Sequence, residues 1–341
     1  MKVLITGGAG FIGCNAGKFY LERGDDVVIV DDLSRKGTGA NLEWLKEQGK
    51  IAFYRQDICD YEGLKKVIAE SGKIDVICHM AAQVAVTTSV TDPRNDFNIN
   101  ALGTFNLLEA VRAADMDPVI IFASTNKVYG EMTDLKVAEE GGRYQYQDMR
   151  EGVPETVQLD FHSPYGCSKG CADQYVVDYS RIYGLRTVCM RQSCIYGPRQ
   201  FGVEDQGWVA HFTIKAVQEK PITIYGDGKQ VRDVLHVRDL VELFHSAYEN
   251  IDKVKGMAFN VGGGPRNQMS LHELVALLEE KTGKKIGLAY DAWRPGDQKI
   301  YVSDIRKVKK ALGWEPKIGK LEGVEMLFQW VRENKDLFKD F

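Results

Sequence analysis

Two groups of residues in this chain have the types and spacing that chemistry requires. One is Tyr165-Gly-Cys-Ser-Lys169. A tyrosine and a lysine four apart on a helix project from the same face, one turn apart. A phenol with an ordinary pKa of about 10 is a poor base at neutral pH. A nearby ammonium favours the phenolate and lowers that pKa, and the start of a helix helps again through its dipole. Such a phenolate can take a proton from a hydroxyl while a hydride leaves for an oxidised nicotinamide, with Lys169 holding the nicotinamide ribose. Alone, the pair also fits the exposed face of an amphipathic helix. The other group is Thr6-Gly-Gly-Ala-Gly-Phe-Ile-Gly13, where Gly7, Gly10 and Gly13 let the backbone turn tightly and approach a pyrophosphate. Phe11 and Ile12 open the helix whose unpaired amides point at that phosphate. Asp31 falls 24 residues after Gly7, where a carboxylate can accept from ribose hydroxyls. A hydroxyl is also needed beside the phenol, and Phe122-Ala-Ser-Thr-Asn-Lys-Val-Tyr-Gly130 offers Ser124 and Thr125.

These residues need elements to hold them. Apolar strands are predicted at 2–6, 27–31, 51–54, 75–79 and 118–123, and helices at 11–23, 61–71 and 100–114. The alternation predicts an α/β fold, a Rossmann doubly wound parallel sheet with helices on both faces. Ser124 and Thr125 then stand at the end of a strand, facing the crevice where ligands bind in open parallel sheets. The polar stretch 131–162 reads as a long loop near the site. A long helix follows, capped by Ser163, with Pro164 in its first turn and Gly184 as its left-handed stop, and then a strand at 186–191. Beyond residue 192 the elements shorten, which predicts a smaller mixed α/β lobe. Residues 1–191 are assigned to the dinucleotide domain, with 234–252 returning to it through a helix near 238–249. Residues 192–233 and 253–341 are assigned to the substrate lobe.

The 341 residues carry a net charge of −4 with both signs interspersed, which argues against nucleic acid or anionic lipid as partners. No apolar run reaches membrane-spanning length, so a cytoplasmic enzyme with no membrane partner is expected. The seven cysteines are scattered and read as small apolar residues. Cys167 and Cys171 sit one helical turn apart but lack a second ligand pair, so no metal site is expected.

Together the motifs resemble the extended short-chain dehydrogenase/reductase family, in its sugar-nucleotide epimerase/dehydratase branch, over essentially the whole chain. The resemblance implies NAD as cofactor, held by the glycine loop and Asp31, with Asp57 and Ile58 near the adenine. Ala81 and Ala82 of His79-Met-Ala-Ala-Gln83 would line the cofactor, and Asn100 matches a structural asparagine of the family that is grouped with the cofactor-binding residues. Thr125, Tyr165 and Lys169 match the catalytic residues. In Gly226-Asp-Gly-Lys-Gln-Val-Arg-Asp233, Arg232 matches a contact to the substrate's diphosphate, and Arg294 of Arg294-Pro-Gly-Asp297 lies on the nucleotide side. Arginine suits both because its planar fork pairs with phosphate oxygens. Cys194 stands where the family usually has asparagine before its Tyr-Gly-Pro turn, here Tyr196-Gly-Pro198. His162 and His211 are taken as structural.

The reaction expected from that resemblance turns on two positions. The 4,6-dehydratases follow their catalytic threonine with an Asp-Glu pair that eliminates water. Asn126 and Lys127 stand there in this chain, and neither is a carboxylate. Epimerisation by oxidation and re-reduction survives. The sugar-side stretches 124–130, 160–170 and 199–208, with Ser124, Asn126, Lys127 and Gln206 as substrate contacts, are most similar to the CDP-paratose 2-epimerases, also called CDP-tyvelose epimerases. Paratose lacks a 3-hydroxyl, and a C4 ketone would not acidify C2, so C2 itself must be oxidised. A UDP-hexose 4-epimerase, a GDP-hexose epimerase and a dinucleotide-sensing regulatory protein are the competing readings. The family likeness also implies a homodimer through helices 100–114 and 164–183.

Overall fold

The computed structural model describes residues 1–294 and 296–339. The chain opens with β1 (Lys2–Thr6), α1 (Phe11–Glu22), β2 (Asp26–Asp31), α2 (Thr38–Gln48), β3 (Ile51–Arg55), α3 (Tyr61–Ser71) and β4 (Val76–His79). Two short helices, α4 (Val86–Thr91) and α5 (Pro93–Phe97), lead through a π turn at Asn98–Leu102 into α6 (Gly103–Ala113). Next come β5 (Val119–Thr125) and a 3-10 turn at Asn126–Tyr129. The helix expected at 100–114 thus begins as part of a wider coil. An extra residue per turn there aims Asn100 inward.

Residues 131–162 are not a plain loop. They contain a hairpin, β6 (Val137–Glu140) and β7 (Arg143–Tyr146), closed by Gly141 and Gly142 with φ of +61° and +76°. Two positive-φ residues in a two-residue turn match the twist of the flanking strands. Then α7 (Ser163–Tyr183) runs to Gly184, whose φ of +76° ends it as expected. Ser163 stands just inside the helix rather than at its cap. With φ of +67° its Oγ accepts from the Gly166 amide at 3.2 Å, so it still satisfies a first-turn donor.

Strand β8 (Thr187–Gln192) returns to the sheet. Outside the sheet come β9 (Ile195–Tyr196), α8 (Trp208–Val217), β10 (Ile222–Tyr225), β11 (Val231–Asp233) and β12 (Leu235–His236). They are followed by α9 (Val237–Glu249), α10 (Ile251–Val254) and β13 (Met257–Val261). The central sheet has seven parallel strands in the order β13-β8-β5-β4-β1-β2-β3. Its inner strands are continuous Val/Ile/Leu runs because both faces are covered. Val3, Ile5, Ile29, Leu45 and Phe244 of α9 build the core on one face. Leu4, Leu64, Leu107 and Val176 build it on the other. The assignment of 253–341 to the substrate lobe needs correction: Met257–Val261 is the edge strand of the central sheet, and Val308 and Trp314 pack into its core. Strand order reverses between β4 and β2 around β1, and the crevice opens there, at the carboxyl ends of the strands.

Candidate active site

A cavity of about 740 Å³ fills that crevice. One wall is the turn between β1 and α1. Gly7 has φ of +65°, and a Cβ there would meet the Ala81 amide nitrogen at 2.6 Å. A Cβ on Gly13 would meet the Gly7 carbonyl at 2.2 Å. Glycine is therefore required at both positions to bring the backbone this close. Gly10 caps α1 with no side-chain partner, so the first amides of Phe11, Ile12 and Gly13 face the cavity. Asp31, Asp57, Ile58, Ala81 and Ala82 line the same cavity. Burial raises the Asp31 carboxyl, while the Ala9 and Leu33 amides, at 3.0 and 2.9 Å, stabilise its charge. Each carboxylate oxygen still has a lone pair for a ribose hydroxyl. This wall fits a dinucleotide: a glycine cradle, free helix amides and a strand-end carboxylate.

The other wall carries Tyr165 and Lys169. Tyr165 sits in the first turn of α7, its amide donating to Ser89 Oγ at 3.1 Å. Burial pushes its phenol up to about 12, with the Asp96 charge adding to the rise; the Thr125 hydroxyl and the Arg35 guanidinium pull the other way. Lys169 is pushed down to about 8 by burial. Its ammonium donates to the Ala123 carbonyl at 2.6 Å and lies 4.2 Å from the centre of the Phe122 ring. The expectation that Lys169 itself depresses the Tyr165 pKa is therefore corrected: the amine is tied to β5, and burial dominates the phenol.

Two further expectations change. Asn100 does not line the cavity. Its amide donates to Asp96 and Ser168, both at 3.1 Å, and its carbonyl accepts the Gln83 amide at 3.0 Å, so it is a buried brace rather than a cofactor contact. Ser124 lines the cavity, but its hydroxyl donates to Asp173 at 2.7 Å and is not a free substrate donor. Thr125 Oγ1 accepts from the Lys127 amide at 3.2 Å, which holds the 3-10 turn after it.

The remaining substrate candidates surround the far end. Gln206 lines the cavity and accepts from Arg35 at 3.3 Å. Thr125, Asn126, Lys127, Arg232 and Arg294 lie outside the cavity wall. The Lys127 ammonium donates to the Gly296 carbonyl at 2.8 Å and is lowered to about 8 by burial and by the charge of Arg232. Among the described residues, neither Lys127 nor Arg232 has a carboxylate partner, and Arg232 donates only to the Val231 carbonyl at 2.8 Å. Arg294 lies 3.6 Å from the Tyr225 ring centre, donates to the Glu204 carbonyl at 2.8 Å and pairs with Asp205. Pro295 of that motif is outside the described residues. Cys194, with φ of +37°, accepts from the Trp208 indole at 3.4 Å.

Sequence reasoning missed Gln192, which stands opposite Thr125 in the parallel register, lines the cavity and has a buried Nε2 with no hydrogen-bond partner among the described residues. No periodicity singles it out; only strand pairing does. Sequence reasoning singled out 199–208 as a sugar-side stretch but not the contacts that seat Arg199 and Phe201 on the cofactor side of the crevice. Arg199 lies 4.3 Å over Trp44, and Phe201 fills the space a Gly37 side chain would take. An exposed-looking aromatic between polar residues was the available signal.

Known proteins share this fold. The GDP-mannose 4,6 dehydratase family matches residues 4–327. The chain belongs to this family of NAD-dependent sugar-nucleotide epimerases and dehydratases, and NAD is its cofactor. Within the family it is an epimerase-type isomerase similar to the CDP-paratose 2-epimerase of Salmonella typhi: 47% identical over 336 residues, 97% of this chain and 99% of that one. Among solved structures, the Thermus thermophilus UDP-glucose 4-epimerase complexed with NAD superposes with a TM-score of 0.82. It is 32% identical and covers 98% of this chain and 100% of its own. The Bacillus cereus UDP-glucuronic acid 4-epimerase with UDP-glucuronic acid and NAD gives 0.83, at 28% identity, covering 98% and 99%.

Proposed function

We propose that this enzyme inverts C2 of the sugar in a CDP-linked 3,6-dideoxyhexose, interconverting CDP-paratose and CDP-tyvelose through a transient 2-keto sugar. The observation that carries the reading is the pair of residues after Thr125. Asn126 and Lys127 occupy the places where elimination needs carboxylates, and the Lys127 ammonium is engaged with Gly296. The 47% identity to the Salmonella typhi enzyme supports the choice of sugar.

NAD would be held by Gly7, Gly10, the α1 amides, Asp31 and Lys169, and when bound would supply a cationic hydride acceptor for the C2 hydrogen. Tyr165 Oη accepts the proton of the C2 hydroxyl and later returns it. Thr125, at the end of β5, orients the reacting oxygen. Lys169, anchored on Ala123, keeps a positive charge next to the phenol's helix turn. Arg232, which has no carboxylate partner among the described residues, receives the diphosphate, and Arg294 stacked on Tyr225 faces the nucleotide.

We also take the outer face of α7 as a self-association surface that makes the enzyme a homodimer. Tyr175, Ile182 and Tyr183 are exposed there, and Tyr175 packs edge-on against Phe105 of α6.

The test is a panel of CDP-, GDP-, UDP- and dTDP-sugars with proton NMR to identify the inverted carbon. Inversion at C2 of the CDP-dideoxyhexose is expected. Inversion at C4 of a UDP-hexose, with no C2 product, would overturn the reading.

A further inference from the structure

Lys169 and Ala123 meet only if β5 and α7 hold a fixed relation. One buried carboxylate sets it. Asp173 lies four residues beyond Lys169 and eight beyond Tyr165, so the three share one stripe of α7. Asp173 is fully buried. Arg191 of β8 reaches it in a bidentate pair, Nε to Oδ2 at 3.0 Å and Nη2 to Oδ1 at 2.9 Å. Ser124 Oγ of β5 donates to Oδ2 at 2.7 Å, and the Cys189 thiol of β8 donates to it at 2.9 Å. Ser124 lies between Ala123, whose carbonyl receives the Lys169 ammonium, and Thr125.

The network continues away from the helix. Arg191 Nη1 donates to the Tyr129 hydroxyl at 3.0 Å, and Tyr129 donates to Asn260 Oδ1 at 2.7 Å. Asn260 in turn donates to the Val153 carbonyl at 2.7 Å. The 3-10 turn after Thr125, the edge strand β13 and the 131–162 segment thus share one anchor. A buried carboxylate with this many donors has no slack: removing one partner leaves unpaired charge in a low dielectric.

We propose that Asp173 is a positioning residue for the Thr125–Tyr165–Lys169 set. It ties the end of β5 to α7 through Ser124 and places a negative charge one turn from the Lys169 ammonium. It touches neither substrate nor cofactor. The inference rests on the function proposed above for that set. The charged or titratable groups around Lys169 are Asp173 and Tyr165 on its own helix, Asp96 on α5, His79 on β4 and Cys189 on β8.

Two variants test it, each prepared with bound NAD for kinetics and without it for labelling. In Asp173→Asn the negative charge goes, and kcat for epimerisation is expected to fall roughly 100-fold, the scale of a small misplacement of reacting groups. KM should change little. In Ser124→Ala the ion pair with Arg191 stays and only the tie to β5 goes. Its thermal midpoint should stay near that of the parent, with kcat lower by roughly tenfold, the loss of one charge-assisted hydrogen bond. This variant keeps the idea testable if Asp173→Asn does not fold. The independent readout is reductive methylation of Lys169 across pH, followed by peptide mass spectrometry, which needs no substrate. Its midpoint is expected to move to lower pH in Asp173→Asn and to stay put in Ser124→Ala. Parent-like kcat in both variants, or an unmoved methylation midpoint in a folded Asp173→Asn, would overturn the proposal. If the parent turns over no nucleotide sugar, the functional reading fails, while the methylation midpoint still decides the role of Asp173.

Discussion

At Tyr165 burial and nearby positive charge oppose each other, and burial prevails: the phenol stands at about 12. Work at neutral pH then requires the cationic, cofactor-filled cavity, so activity should climb with pH as the phenol ionises. Tyr165→Phe should keep its full complement of NAD and lose roughly 10²- to 10⁴-fold in kcat, the usual worth of a positioned general base. Cofactor content by absorbance after acid release, with turnover by NMR, checks both halves; a variant that retains most of its rate removes Tyr165 from the reaction. The residues that were legible in the sequence share one local feature. Gly7, Gly10, Gly13 and the Tyr165–Lys169 pair act through spacing within one turn or one helix. That the Asn100 amide and the Ser124 hydroxyl are already committed was not legible, because their partners, Ser168 and Asp173, lie 68 and 49 residues away. No spacing rule reports whether a hydroxyl or amide is already committed across the fold.

At the scale of elements, strands β1–β5 and β8 were legible because a parallel sheet covered on both faces leaves uninterrupted apolar runs, and α3 by its own helical spacing, whereas the edge strand β13 was not. The π turn at Asn98–Leu102 was not, because one extra residue in a coil alters no pattern of burial over so short a stretch. The β6–β7 hairpin had a signal, Gly141-Gly142, but its strands alternate weakly, with Glu and Gln on the open side. Strand β4 carries a prediction of its own. His79 is buried between β1 and α6, with Nδ1 2.6 Å from Thr6 Oγ1 and Nε2 3.0 Å from Thr104 Oγ1, and burial lowers it from 6.5 to about 3. The folded form keeps it neutral while the unfolded chain protonates it. Its contribution is therefore complete above pH 6.5 and is lost as pH falls toward about 3. Each pH unit of that window is worth about 1.4 kcal/mol. Urea midpoints between pH 7 and pH 4 should drop less steeply in His79→Gln than in the parent; equal slopes would show that His79 is not the group responsible.

At the scale of the molecule, the segment from Pro198 to Gln206 joins the two sides of the crevice. The Pro198 and Arg199 carbonyls accept from Asn15 and Asn41 at 3.0 and 3.2 Å, Phe201 abuts Gly37, and Arg35 reaches Gln206. A catalyst that regenerates its cofactor in every cycle gains from such a strap. Phe201→Ala should release NAD faster by roughly tenfold or more, the worth of an aromatic ring packed into such a seat. Exchange of bound NAD against labelled NAD measures it, and an unchanged rate would assign the strap to the substrate side alone. The exposed α7 face predicts that Ile182→Arg shifts the protein toward a monomer by light scattering, with the fold retained; a parent that is already monomeric would remove that face from consideration.

The central claim is that one carbon, C2, gives up its hydrogen and recovers it on the opposite side of the sugar. Supplying CDP-tyvelose deuterated at C2 to the NAD-loaded enzyme in ordinary water tests it directly. Deuterium should remain at C2 of the CDP-paratose formed. Its replacement by solvent hydrogen would mean that C2 is inverted by proton exchange, and the hydride account would be wrong.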